Sequence, residues 1–161
     1  MFAKAFFLLA LIPSILAVDH AVTVGQGNAL SFTPSSITAA VGDTVTFTVY
    51  GSTILSLLPS LIRSMVLVSL ATVHSVTTTN FSGAVCPPPP GGVGPNGFDS
   101  GFLSDLDGSL PSFTYKVVDT APHFGACMQA AGGHCRAGMT FAINPTTTQT
   151  YEQFLANARS S

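Results

Sequence analysis

The chain has 161 residues, about one domain's length, of which 47% are hydrophobic and only 7% charged, against a usual charged share of about 25%. Five Lys and Arg against seven Asp and Glu give a formal charge of −2, which excludes a basic nucleic-acid surface. High apolar content with so few charges also excludes a disordered chain, and 15 Gly, 11 Pro and no Trp point to turns and β structure.

Residues 1–17 have the layout of a secretory signal peptide: one positive charge at Lys4, a nearly unbroken apolar run over 5–16, and Ala17 at the cleavage point. The competing reading is a membrane anchor, but the run falls short of the roughly 20 apolar residues that span a bilayer. The mature chain is therefore expected outside the cell or at its surface, without a stable membrane span, where disulfides persist. There Asn80-Phe81-Ser82 becomes a glycosylation sequon with Asn80 as acceptor.

From His20 onward the pattern predicts short strands. Residues 21–24 alternate, residues 25–28 form a turn, and 30–33 and 36–41 follow, broken by Pro34. Residues 44–49 carry the clearest signal, with Val45, Phe47 and Val49 on one face and three Thr on the other. That period of two is the mark of a half-buried antiparallel strand. Residues 113–117 repeat it, residues 139–143 can close the set, and 86–112 read as a long irregular loop. Tyr151, Phe154 and Leu155 stand at helical spacing in a short terminal helix over 151–159. The whole predicts a β-sandwich.

Residues 50–73 break the pattern. Two apolar runs, 54–62 and 65–73, flank Arg63-Ser64 and do not alternate. Pro59 and Arg63 argue against a membrane span.

The chemistry lies in the C-terminal third. Cys127, His134 and Met139 place a thiolate, an imidazole and a thioether on one loop, and a second imidazole, His74, opens His74-Ser75-Val76-Thr77. Two His, one Cys and a weak axial Met are the ligand set of a blue copper site. The bland readings are Met139 as core packing, His74 as a strand-end polar residue, and Cys127 in a disulfide with Cys86 or Cys135. His20 and His123 stand outside any motif and read as ordinary surface or loop residues.

At these residues the sequence resembles the cupredoxins, specifically secreted fungal cupredoxin-like proteins related to plant phytocyanins. The motifs are Val22-Thr23-Val24-Gly25, Phe32-Thr33-Pro34, Val41-Gly42-Asp43-Thr44-Val45, His74-Ser75-Val76-Thr77, Gly97-Phe98-Asp99-Ser100-Gly101, and His134-Cys135-Arg136-Ala137-Gly138-Met139 followed by Phe141-Ala142-Ile143-Asn144-Pro145. The resemblance implies an all-β Greek-key sandwich over 18–145, with 146–161 a tail or short helix. It implies one type 1 copper held by His74, Cys127, His134 and Met139, and a disulfide between Cys86 and Cys135.

Three departures stand out. Six residues separate Cys127 from His134, where phytocyanins usually have four, and His123-Phe124-Gly125-Ala126 replaces the usual aromatic approach to the cysteine. Residues 50–73 have no counterpart and resemble translated intron sequence; the competing reading is a true insertion exposing an apolar patch. The function implied is a secreted copper protein passing single electrons to a redox partner the residues do not specify, and not an enzyme. The rival is a cell-surface or cell-wall structural or interaction module with the same fold and weak or no copper binding, facing cell-wall components.

Overall fold

The computed structural model describes residues 16–50, 73–104 and 109–161. The expected signal peptide up to residue 15, and residues 51–72 of the apolar segment, lie outside the described residues. Eight strands are seen among the described residues: β1 (Asp19–Val24), β2 (Phe32–Thr33), β3 (Ser36–Ile37), β4 (Thr44–Val49), β5 (Thr77–Thr78), β6 (Ser112–Lys116), β7 (His123–Ala126) and β8 (Thr140–Ile143). Helix α1 (Gly133–Arg136) precedes β8, and α2 (Tyr151–Arg159) follows it. The strands form two four-stranded sheets, in the orders β2-β1-β4-β6 and β3-β8-β7-β5. The fold is thus a mostly-β sandwich with a short C-terminal helix.

β4 is built as its alternation dictates. Val45, Phe47 and Val49 are fully buried, and the three Thr face outward. Its pairing is mixed, however. It runs antiparallel to β6 but parallel to β1, in register from Asp19 opposite Thr44 to Val24 opposite Val49. The expectation of a purely antiparallel partner set is corrected here, because alternation reports one buried face and is silent about neighbour direction. The strand expected over 36–41 shortens to Ser36–Ile37, which pairs parallel to β8.

The core between the sheets is aromatic. Phe47 sits between Phe32, Phe98, Phe113 and Phe141, with ring centroids 5.0–6.4 Å apart. Burying a side chain of this kind contributes about 1.5–3 kcal/mol. Cys127 and Met139 belong to the same cluster. A second cluster lies on the other side of the β7–β8 sheet, where Phe154 and Ala158 of α2 cover Val85, Phe124, Ala126 and Ala142. Phe154 and Ala158 are the helix's buried residues, while Tyr151 and Leu155 are half-buried. Thr150 caps α2 by accepting from the Gln153 N–H, and the Gln153 side chain accepts from the Thr150 N–H.

β5 and β7 carry no alternating signal, and β7 and β8 are buried at every position. A strand covered on both faces has no reason to alternate. Gly125 serves this packing, since a Cβ there would run into the Phe141 ring and the Thr77 carbonyl oxygen.

Candidate metal centre

Each of three donor side chains is placed by a different element. His74 makes a two-bond bridge to Leu103, with His74 N donating to Leu103 O at 3.1 Å and Leu103 N to His74 O at 2.8 Å. Its ring rests on Gly25, at a φ of +74°, where an added Cβ would lie 2.5 Å from His74 Nε2 and 2.8 Å from the Tyr50 carbonyl oxygen. Only glycine leaves room for the imidazole at that turn. Cys127 follows β7 directly, its N–H donating to Met139 O at 3.1 Å. His134 lies in α1 and is half-buried, whereas His74 and Cys127 are fully buried.

The six residues between Cys127 and His134 are accommodated by a left-handed turn. Ala130, Ala131 and Gly132 have φ of 56°, 50° and 85°. Gly132 N donates to Met128 O at 3.1 Å, Gly133 N to Ala130 O at 2.9 Å, and His134 N to Gln129 O at 3.3 Å. The extra length coils on itself and leaves His134 facing the sulfur.

The donor atoms converge. Cys127 Sγ lies 3.6 Å from His134 Nδ1 and 3.8 Å from His74 Nδ1, and the three ligand atoms fall within 4.8 Å of one another. Bonds of about 2.3 Å to sulfur and about 2.0–2.1 Å to nitrogen, the zinc values, put a sulfur and a nitrogen on one ion about 3.5–3.8 Å apart for angles from tetrahedral to trigonal. Both sulfur–nitrogen separations fall in that interval. One thiolate with two imidazoles is a soft and borderline set, suited to copper or zinc. The site therefore fits a copper ion by donor chemistry and by its sulfur–nitrogen spacing.

Burial pushes the Cys127 thiol above its usual range, against the opposing pull of the Ser75 and Gln129 backbone N–H groups and of the Ser75 hydroxyl. Burial also lowers the His134 pKa, which favours the neutral, ligating imidazole. Met139 is fully buried, and its N–H donates to His134 O at 2.9 Å, so its backbone bridges the Cys127 and His134 segments. Cys86 and Cys135 form a disulfide, with Cα atoms 5.8 Å apart. Of the pairings open to the sequence, the one formed leaves Cys127 as a free, buried thiol. Asn80, the sequon residue, is exposed and donates through Nδ2 to Ala84 O.

Behind the sulfur lies a polar network that sequence reading missed. Ser75 N donates to Cys127 Sγ at 3.4 Å, and Met128 N donates to Ser75 Oγ at 2.8 Å. Thr77 Oγ1 lies 3.1 Å from Ser75 Oγ and 2.8 Å from Asp99 Oδ1. Asp99 also accepts from the N–H groups of Gly101 and Gly91, both at 2.9 Å. The signal was present, since these residues stand in two of the motifs quoted above.

Two histidines depart from their expected roles. His123 is not a surface or loop residue; it lies buried in β7, with Nε2 3.0 Å from Asp119 Oδ1 and 3.4 Å from the Tyr115 hydroxyl. His20 lies in β1, half-buried, with Nε2 3.0 Å from Asp43 Oδ2. Each histidine buries its ring beside a carboxylate, which a lone His in a sequence does not announce.

The fold is similar to that of auracyanin B, at 18% identity and a TM-score of 0.49, covering 84% of this chain and 93% of that one. It is also similar to auracyanin from Roseiflexus castenholzii (15% identity, TM-score 0.47, 80% and 95% covered) and to plastocyanin from Dryopteris crassirhizoma (21%, 0.44, 76% and 96%). No protein-family model matches the sequence, and no curated protein matches it.

Proposed function

We propose that this chain is an exported copper protein that carries single electrons. The observation that carries the reading is the convergence of one free thiol and two imidazole Nδ1 atoms at 3.6 and 3.8 Å. His74, Cys127 and His134 would hold the metal, with Met139 as a weak fourth ligand. Bound copper would supply a one-electron couple that a soft thiolate and imidazoles sustain in both oxidation states.

The chain's own residues do the rest. Gly25 and the Leu103 bridge fix His74 from behind. The left-handed turn and the neighbouring disulfide fix His134, so the ligand positions are set before a metal arrives. Such rigidity limits how far ligands move between oxidation states. Among the described residues, burial of His74 and Cys127 keeps water from the sulfur, while half-buried His134 gives the site an edge toward a redox partner. Export is supported by the apolar run ahead of Ala17 and by the disulfide. Among the described residues no helix is long and apolar enough to cross a membrane. Asn80 is exposed and open to glycosylation on that route.

The test is a Cu(II) titration of the purified protein followed by visible absorption. The expected result is an intense thiolate charge-transfer band saturating at one equivalent and absent from Cys127→Ser. A band that survives that substitution refutes the ligand assignment.

A further inference from the structure

We propose that Asp43 receives the N-terminus of the mature chain. Cleavage between Ala17 and Val18 frees an α-ammonium that pairs with the buried carboxylate and locks β1 onto β4. The proposal rests on the export reading above and adds the group that receives the new terminus.

The sandwich takes hold of the chain at Val18. Its N–H donates to Asp43 Oδ1 at 2.8 Å, and its carbonyl accepts from the Thr44 N–H at 2.9 Å. One residue later the parallel register begins, with Asp19 opposite Thr44. Leu16 and Ala17, just ahead, are exposed, so the bond to be cut stands outside the sandwich. Its hydrolysis puts the hydroxyl of water on the Ala17 carbonyl carbon and a hydrogen on the Val18 nitrogen. That nitrogen takes a further proton from solvent and becomes the ammonium.

Asp43 lacks the charge that this step creates. It is only 6% exposed, and a buried carboxylate is costly without a cation. Oδ2 accepts from the Ala40 N–H at 2.8 Å and lies 3.0 Å from His20 Nε2, a partner that is cationic only when protonated. Among the described residues no Lys or Arg pairs with Asp43. Lys116 and Asp19 stand opposite Thr44 on the flanking strands, both exposed. The Asp19 carboxylate is taken up by the Thr44 and Thr46 hydroxyls. In the uncleaved chain Val18 offers Oδ1 a neutral amide hydrogen. After cleavage the same nitrogen offers a charged donor, whose hydrogen bond is roughly twice as strong. The lock bears on the metal centre, because β1 ends at Val24, beside the Gly25 on which the His74 ring rests.

The first test is N-terminal sequencing of the protein secreted by a eukaryotic host, with Val18 expected as the first residue. A secreted chain that starts elsewhere overturns the proposal alone. A chain retained in the cell with its leader overturns the export reading, and the visible band with copper is independent of both.

The second test compares urea unfolding of the chain beginning at Val18 with the same chain N-acetylated, which keeps the Val18 N–H but not its charge. The free chain's unfolding constant is expected to be about tenfold smaller at pH 7, matching an α-amine raised by the carboxylate from about 8 to about 9. The folded value then lies above the unfolded one. The advantage is therefore complete below about pH 7 and is lost as pH rises through about 9. His20 is common to both chains, so its titration cancels in the comparison. In Asp43→Asn the advantage is expected to vanish. If that variant does not fold, the pH dependence of α-amine acylation in the parent reads the same pairing, with its half-point higher in the folded protein than in urea. Equal unfolding constants for the free and acetylated chains, or the same half-point folded and unfolded, overturns the lock.

Discussion

Gly25→Ala compared with Gly27→Ala separates the steric demand of the metal centre from ordinary backbone strain. Both glycines have positive φ, +74° and +66°. A non-glycine residue in the left-handed region costs about 1–2 kcal/mol, so both variants carry that penalty. At Gly27 an added Cβ meets nothing within 4 Å, and the backbone cost is the whole expectation. At Gly25 the methyl would sit 2.5 Å from His74 Nε2, 2.7 Å from Cδ2 and 2.8 Å from the Tyr50 carbonyl oxygen. The carbonyl belongs to the main chain, next to the Tyr50 N–H to Val24 O bond at 2.8 Å, and gives little. The imidazole therefore moves, and it carries Nδ1 away from its 3.8 Å station beside the sulfur. Urea unfolding of the apo-protein is expected to show a loss of about 1–2 kcal/mol for Gly27→Ala and a larger one for Gly25→Ala. Competitive copper titration is expected to show parental affinity for the first and at least tenfold weaker binding for the second. Equal stability and equal copper affinity in the two variants would refute the claim that Gly25 shapes the His74 pocket.

Phe47→Ala empties the centre of the aromatic core and is expected to cost about 3–5 kcal/mol in urea unfolding. Replacing both Cys86 and Cys135 by Ala opens a loop of sequence separation 49 and is expected to cost about 4 kcal/mol through the unfolded chain, read by the same assay. Asp43 is held at a pKa of about 2 by the Val18 N–H, then His20 and the Ala40 N–H. The unfolded value is about 3.9, so the folded state binds fewer protons in this window. Its contribution is complete above about pH 4 and fades as pH falls toward 2. Asp43→Asn is expected to reduce the acid-side slope of apo-protein stability between pH 4 and 2. Some slope remains, because Asp19, held low chiefly by the Thr44 and Thr46 hydroxyls, and Asp119, held low chiefly by Asn96, titrate similarly. An unchanged slope would remove Asp43 from the account.

What was legible in the sequence follows where burial is one-sided. β4 and β6 pack one face on the core, so alternation exposed them, and α2 showed its helical spacing. β7 lies between the aromatic core and the α2 cluster, and four consecutive buried residues leave no period to read. The small residues at 130–133 permit a bulge before His134, but its left-handed conformation was opaque for a different reason. Alanine carries no preference for positive φ, yet Ala130 and Ala131 both adopt it, held by the hydrogen bonds of the loop. The donor types at the centre could be read as residues; Ser75, Thr77 and Asp99 stood in the motifs too, but the contacts that join them could not be read. Asp99 reaches Thr77 through an isolated antiparallel bridge between those two positions, 22 residues apart in the chain. His123 likewise acquires its meaning from Asp119 and Tyr115, which the fold brings to its ring.

On the proposed function, one thiolate and two imidazoles of this chain bind a single copper. Copper X-ray absorption on the protein loaded with one equivalent of Cu(II) reads those ligands directly. One short copper–sulfur bond with two imidazole nitrogens is expected in the parent, and loss of the sulfur scatterer in Cys127→Ser. A parent spectrum fitted by nitrogen and oxygen ligands alone would contradict it.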